Sequence, residues 1–158
     1  MLRSRYPDCI AIALSLVIII SAAVGGIAVS SDPALAAPGD VLYRLNVGGE
    51  TISALDSGPD WEEDTGAYRA WTGGQETSTT EAATLDGSVP ADTPPEVFNT
   101  EVWDPASGDE MQWEFDVPSG TIVEVRLYFR NTCDCTANPG ERVFDTEVEG
   151  RTVKNDYE

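Results

Sequence analysis

In several segments from Val41 onward apolar side chains recur at every second position, and no stretch there sustains a 3.6-residue repeat. A loop-like stretch at 56–74 and a Thr-rich, weakly patterned one at 75–95 lie between those segments. Val41, Tyr43, Leu45 and Val47 alternate with Leu42, Arg44 and Asn46 until Gly48-Gly49 breaks the run. Met111, Trp113, Phe115 and Val117 alternate with Gln112, Glu114 and Asp116, which makes Trp113 a core residue. Pro118-Ser119-Gly120 reads as a turn, after which Val123, Val125, Leu127 and Phe129 alternate with Glu124, Arg126 and Tyr128. Two such arms about a short turn predict a hairpin over 111–129. Phe144, Thr146 and Val148 continue the pattern, with Glu149-Gly150 turning into Arg151–Lys154. Residues two apart on a strand share a face, so each segment buries one side. The expected class is all-β, with two packed sheets in a single domain.

The N-terminus follows a different rule. Arg3 and Arg5 precede an uncharged run from Cys9 to Ser31 that contains Leu16, Val17, Ile18, Ile19 and Ile20. About twenty apolar residues in a helix cross a bilayer core. The expected organisation is a basic region at 1–8, a transmembrane helix or signal segment at 9–31, a Pro-containing linker at 32–40, and the β domain at 41–158. The basic end should stay inside and the acidic remainder go out. Ala34-Leu35-Ala36 resembles a small-residue cleavage site but lies well beyond the most apolar part. A single-pass signal anchor and a secreted product therefore both stand as expectations.

Nine Lys and Arg face 28 Asp and Glu, a net charge of −19. That sign excludes phosphate-backbone binding as a main task, so no nucleic-acid partner is expected. Lys154 is the sole lysine beside eight arginines, and the acids spread along the whole chain. A halophile-type surface fits this distribution, because in molar salt the Debye length falls to about 3 Å and neighbouring carboxylates are screened. An acidic extracellular protein of ordinary habitat is the alternative.

The chain has no histidine, which excludes Ser–His and Cys–His catalysis. Cys133 and Cys135 form a candidate disulfide in an exported loop, with free thiols as the alternative. Their spacing is short for a relaxed bridge, and a metal site would need further ligands. Trp61, Tyr68 and Trp71 lie in a Gly-rich, acidic stretch where exposed aromatics would serve binding. Asp56, Asp60, Glu62, Glu63 and Asp64 could offer oxygen ligands to calcium, though any window of so acidic a chain looks similar. No other cofactor is expected. Paired carboxylates invite a glycosidase reading, with Glu101 beside Trp103 the least implausible acid. With 28 acids the pairing carries little information, and no enzyme activity is expected.

Several segments resemble the malectin family in that family's order. Tyr43-Arg44-Leu45-Asn46-Val47-Gly48-Gly49 is similar to its first strand, and Asp60-Trp61 with Asp64 to the Trp and Asp that follow in microbial members. Val97-Phe98-Asn99-Thr100-Glu101-Val102-Trp103 resembles its aromatic, polar, Thr, Glu strand. Phe115–Thr121 with Val125–Phe129 resembles its central hairpin, and Gly140-Glu141-Arg142-Val143-Phe144-Asp145 its best-marked motif. The resemblance covers 41–158 and implies a jelly-roll-like β-sandwich that binds carbohydrate without catalysis. Trp103 falls where malectin has a binding tyrosine. The aromatic pair after the central hairpin falls on Cys133 and Asp134, so that contact is lost or replaced. Trp71 or Tyr68 would substitute for an earlier tyrosine. The family's last strands and last binding aspartate would lie beyond Glu158, so the chain reads as a truncated member with a raw edge or an edge completed by another chain. The expected site is therefore Trp103, Trp71, Trp61, Tyr68 and Asp134, with a glycan as partner. The rival expectation is a structural or adhesive envelope module that contacts other cell-surface proteins.

Overall fold

The computed structural model describes residues 2–4, 10–12, 15–20, 40–104, 109–133, 136 and 138–157. The fold is all-β. In chain order its strands are β1 (Leu2–Ser4), β2 (Ile10–Ile12), β3 (Ser15–Ile20), β4 (Asp40–Asn46), β5 (Glu62–Glu63) and β6 (Gln75–Ser78). They continue as β7 (Thr100–Asp104), β8 (Val123–Tyr128), β9 (Phe144–Val148) and β10 (Arg151–Tyr157). A 3-10 turn at Pro95–Phe98 leads into β7. The strands form three sheets, ordered β1-β9-β10, β2-β7-β6 and β5-β4-β3-β8. Every strand pair is antiparallel except β4 with β5.

β4 follows the alternation: Leu45 and Val47 enter the larger core with Trp71, Val102, Met111 and Phe144. Its other face is also buried, because Arg44 and Asn46 turn inward and are hydrogen-bonded there. The Gly48-Gly49 break has a steric cause. Gly48 has φ 71°, and a Cβ on it would lie 3.0 Å from the Glu101 carbonyl oxygen. A Cβ on Gly49 would lie 2.3 Å from Asn46 Nδ2, so only glycine lets the loop seat against β7. Thr100 Oγ1 donates to the Val47 carbonyl at 3.0 Å and ties the two segments.

β9 and β10 form the hairpin expected at Glu149-Gly150. Both turn residues have positive φ, 51° and 70°, and Val148 pairs directly with Arg151. That is a two-residue turn whose twist matches the strands. The hairpin predicted over 111–129 is different. Its turn exists, with Thr121 N donating to the Pro118 carbonyl at 3.1 Å. The first arm, however, pairs with residues 68–70: Trp113 bridges Arg69, Ala70 N donates to Gln112 O at 2.9 Å, and Glu114 N to Tyr68 O at 2.8 Å. Alternation identifies an extended segment but not its neighbour. The second arm, β8, has β3 as its strand partner.

A helix was expected over 9–31. The residues described there, Ile10–Ile12 and Ser15–Ile20, are strands; the others lie outside the described residues. Short apolar runs rich in β-branched residues suit either state, and periodicity cannot separate them. Among the described residues no helix is long and apolar enough to cross a membrane. Leu2–Ser4, within the expected basic region, pairs with β9. The linker 32–40 lies outside the described residues apart from Asp40.

Candidate functional site

The acidic loop between β4 and β6 does not display its aromatics. Trp61 is 2% exposed, meets Tyr128 edge-on at 5.8 Å, and lies beneath the Arg44 guanidinium at 5.7 Å. Arg44 is held in place by Asp56, with Nη1–Oδ1 at 2.8 Å and a second contact between Nη2 and Oδ2, and by the Pro59 carbonyl at 3.0 Å. Trp71 is 9% exposed, edge-on to Trp113 at 5.8 Å with Arg69 over its ring at 5.9 Å. Gly74 covers the same ring so closely that a Cβ there would fall 1.7 Å from a ring carbon. Trp61 and Trp71 are thus core residues and offer no open stacking face. Two of the loop's acids, Asp56 and Asp64, pair with Arg44 and Arg69, which fold it inward instead of leaving it as a rim.

Tyr68 stacks on Phe115 at 4.8 Å and donates from its hydroxyl to Glu62 Oε2 at 3.0 Å. Burial, then Glu62, raises the phenol above its ordinary pKa. Trp103 is half-buried on β7, with Nε1 donating to Thr77 Oγ1 at 3.2 Å, and retains open surface. Asp134 and Cys135 lie outside the described residues, as does Cys9. Cys133 is disulfide-bonded.

The candidate calcium ligands are engaged separately. Asp56 serves Arg44, Asp60 accepts from Ala54 N at 2.9 Å, Glu62 accepts from Tyr68, and Asp64 pairs with Arg69. Among the described residues no group of three or more acids or cysteines is placed to hold a metal ion.

An open cleft of about 530 Å³ lies elsewhere, between β8, the 86–90 turn and the end of β10. It is lined by Arg126, Leu127, Tyr128 and Phe129 of one segment, together with Phe98 and Tyr157. Tyr157 is fixed by a triangle of rings, its centroid 5.2 Å from both Phe129 and Phe144. Asp86 and Ser88 contribute to the lining from a turn in which Val89 N donates to the Asp86 carbonyl at 3.2 Å. Asp86 Oδ1 accepts from Ser88 Oγ at 2.6 Å and Ser88 N at 2.7 Å. Those hydrogen bonds lower the Asp86 pKa, so its carboxylate is charged near neutrality. Asp86, Ser88 and Arg126 share the lining with the partly exposed Phe129 and Tyr157. Sequence reasoning missed this site because its parts come from four separate segments. The one local signal was the pair of adjacent aromatics, Tyr128-Phe129, at the end of an alternating strand.

A second polar cluster lies below the surface. Glu101 is 3% exposed; its Oε1 accepts from Thr132 Oγ1 at 2.5 Å and its Oε2 has no hydrogen-bond partner. Arg142 donates from Nη1 to the Arg130 carbonyl at 3.3 Å, while its Nε and Nη2 are buried without partners. Arg130 Nη1 donates to the carbonyls of Glu81 and Phe98, each at 3.0 Å. Burial raises the Glu101 pKa, opposed by Thr132, Arg142 and Arg130, and burial lowers the Arg142 pKa. So enclosed a carboxyl has no access to a substrate, and the cluster stands as interior architecture.

No family model, no curated protein and no solved structure matches this chain.

Proposed function

We propose that the chain is an exported, non-catalytic glycan-binding module with a malectin-like jelly-roll sandwich and a halophile-type acidic surface. Its sugar site is the cleft between β8, the 86–90 turn and Tyr157, in place of the expected loop indoles. The observation that carries this reading is the cleft itself: partly open Phe129 and Tyr157 rings beside Asp86, Ser88 and Arg126. The C–H face of a pyranose covers an aromatic ring while charged and hydroxyl groups take its hydroxyls. A volume of about 530 Å³ accommodates one or two sugar rings. Trp103 is a second, open aromatic on a different sheet. The spread of acids and the basic-then-apolar N-terminus support a place at the outer face of a cell membrane or in the secreted fraction.

The test is calorimetric titration of neutral oligosaccharides into the full chain in molar salt. Binding is expected to weaken at least tenfold in Tyr157→Ala and to be unchanged in Trp103→Ala. Loss in Trp103→Ala alone would move the site to β7. A second reading, a structural or adhesive module that contacts other surface proteins, is favoured by the burial of Trp61 and Trp71. Heat from no oligosaccharide tested would select it.

A further inference from the structure

We propose that the outer edge of β8 is a dimerisation surface, and that its occupant is β8 of a second copy of this chain, paired antiparallel about a two-fold axis.

β8 ends the sheet ordered β5-β4-β3-β8, with β3 as its one strand neighbour. Backbone groups point alternately to the two sides of a strand, so about half of those in Val123–Tyr128 face away from β3. Among the described residues they meet no other backbone partner. Exposed edges are ordinarily blunted by shortness, bulges, lysine or proline. The other edges here follow that rule. β1 and β2 have three residues each, β5 has two and β6 four, and β10 carries Lys154 between two register shifts. β8 has six residues, an unbroken register with β3, and no Gly, Pro or Lys. Space lies beside it as well. The cleft is lined by the consecutive residues Arg126–Phe129, whose side chains alternate between faces, so it opens along the edge of the strand.

The sequence of the strand selects the partner. About Val125, Val123-Glu124-Val125-Arg126-Leu127 is self-complementary: apolar, acid, apolar, base, apolar. A two-fold axis normal to the sheet keeps facing residues on one face, so the axis passes through a residue position. An axis at Glu124 or at Arg126 sets that charge against its own copy. An axis at Val125 sets Glu124 against the partner's Arg126, and Val123 against the partner's Leu127. Opposite charges that face each other across strands stabilise the pairing, and like charges oppose it. Glu124 and Arg126 already touch within one strand, Oε1 to Nε at 2.5 Å, with side chains 48% and 41% exposed, so two copies would close a cluster of alternating charge. The same axis brings Ile122, 64% exposed, to the partner's Tyr128, a residue of the cleft lining. In molar salt the Debye length of about 3 Å screens the −19 carried by each copy. A glycan and a second copy would compete for the cleft. The dimer does not depend on the sugar reading, and its test contains no sugar.

Sedimentation equilibrium of the full chain in molar salt is expected to show monomer and dimer in exchange. Arg126→Glu and Glu124→Arg each set like charges across the axis and should raise the dimer dissociation constant roughly tenfold or more. The double variant, Glu124→Arg with Arg126→Glu, exchanges the two charges and should return the constant to within about threefold of the parent's. Monomer alone up to the solubility limit, a dimer indifferent to the single variants, or a double variant as weak as either one would overturn the assignment. A cysteine on the axis reads the register with those charges intact. In a Cys9→Ser background, Val125→Cys faces its own copy and should give a disulfide-linked dimer under mild oxidation. Val123→Cys lies about 13 Å from its copy and should give none. Any other pattern from this pair overturns the proposal.

Discussion

Asp64 and Glu101 are both buried acids, and the fold treats them in opposite ways. The Asp64 side chain has no exposed surface and meets four donors. Gly48 N and Gly66 N donate at 3.0 Å each, and Arg69 donates at 3.2 Å from Nε and 2.6 Å from Nη2. Glu101 meets a single donor, Thr132, and leaves one oxygen without a partner. Depth is the same; the donor count differs. A buried charge stabilises a fold only where donors replace the water it has lost. Asp64 closes the Gly48 turn onto the loop that carries Arg69, and thereby positions Trp71. Glu101 leaves much of its lost hydration unreplaced.

The largest expected effect is at Asp64. Asp64→Asn keeps the shape but removes the charge opposite Arg69, which then retains Glu76 at 2.6 Å, a partner that is half exposed. Stability to urea in molar salt should fall by about 3 kcal/mol, the range seen when one partner of a buried ion pair is removed. A loss below about 1 kcal/mol would break the comparison, since Glu76 would then suffice alone.

A smaller effect is expected at Asp56, which is buried less deeply. Its fork on Arg44, followed by the Gly58 amide, holds its carboxyl down to about 2 against the opposing effect of burial. A folded pKa below the ordinary value of 3.8 means the stabilisation is complete above pH 4. It is then lost as pH falls toward about 2. Solvent reaches this pair, so Asp56→Asn should cost about 1 kcal/mol at neutral pH. Thermal melts between pH 5 and 2 should fall more steeply for the parent chain than for the variant. Parallel slopes would show that Asp56 titrates as an exposed acid.

These pairings also explain what the sequence concealed. β4 and the Glu149-Gly150 hairpin were legible because alternation, a local property, and turn chemistry agreed. The stretch from Met111 to Val117 was legible as extended but not as the partner of residues 68–70, since alternation is blind to its neighbour. Trp61 and Trp71 sit among acids and glycines, which reads as an exposed loop. Arg44, on the preceding strand, and Arg69, within the loop itself, fold that loop inward through Asp56 and Asp64, and Gly74 admits the Trp71 ring. Composition marked the Ser15–Ile20 run as apolar, and two states suit such a run equally. The Tyr157 cleft needed four separate segments to be brought together, and no spacing rule links them.

Glu101 gives the smallest effect and the most informative sign. Burial outweighs Thr132, Arg142 and Arg130, so its folded pKa is raised. A raised pKa means that the folded state favours the protonated carboxyl. The stability this contributes is present below the unfolded pKa and is lost as pH rises through the folded one. Glu101→Gln makes the neutral form permanent and keeps an oxygen to accept from Thr132. At pH 7 the variant should therefore melt slightly higher, by no more than a few degrees. Below pH 4 the two chains should converge, because the parent is then neutral too. The opposing consideration is Arg142, whose unpartnered Nε and Nη2 would lose their compensating charge. If that loss dominates, Glu101→Gln melts lower at pH 7, as Asp64→Asn does. The contrast between a satisfied and an unsatisfied buried acid would then reduce to one rule, that each buried arginine here requires its carboxylate.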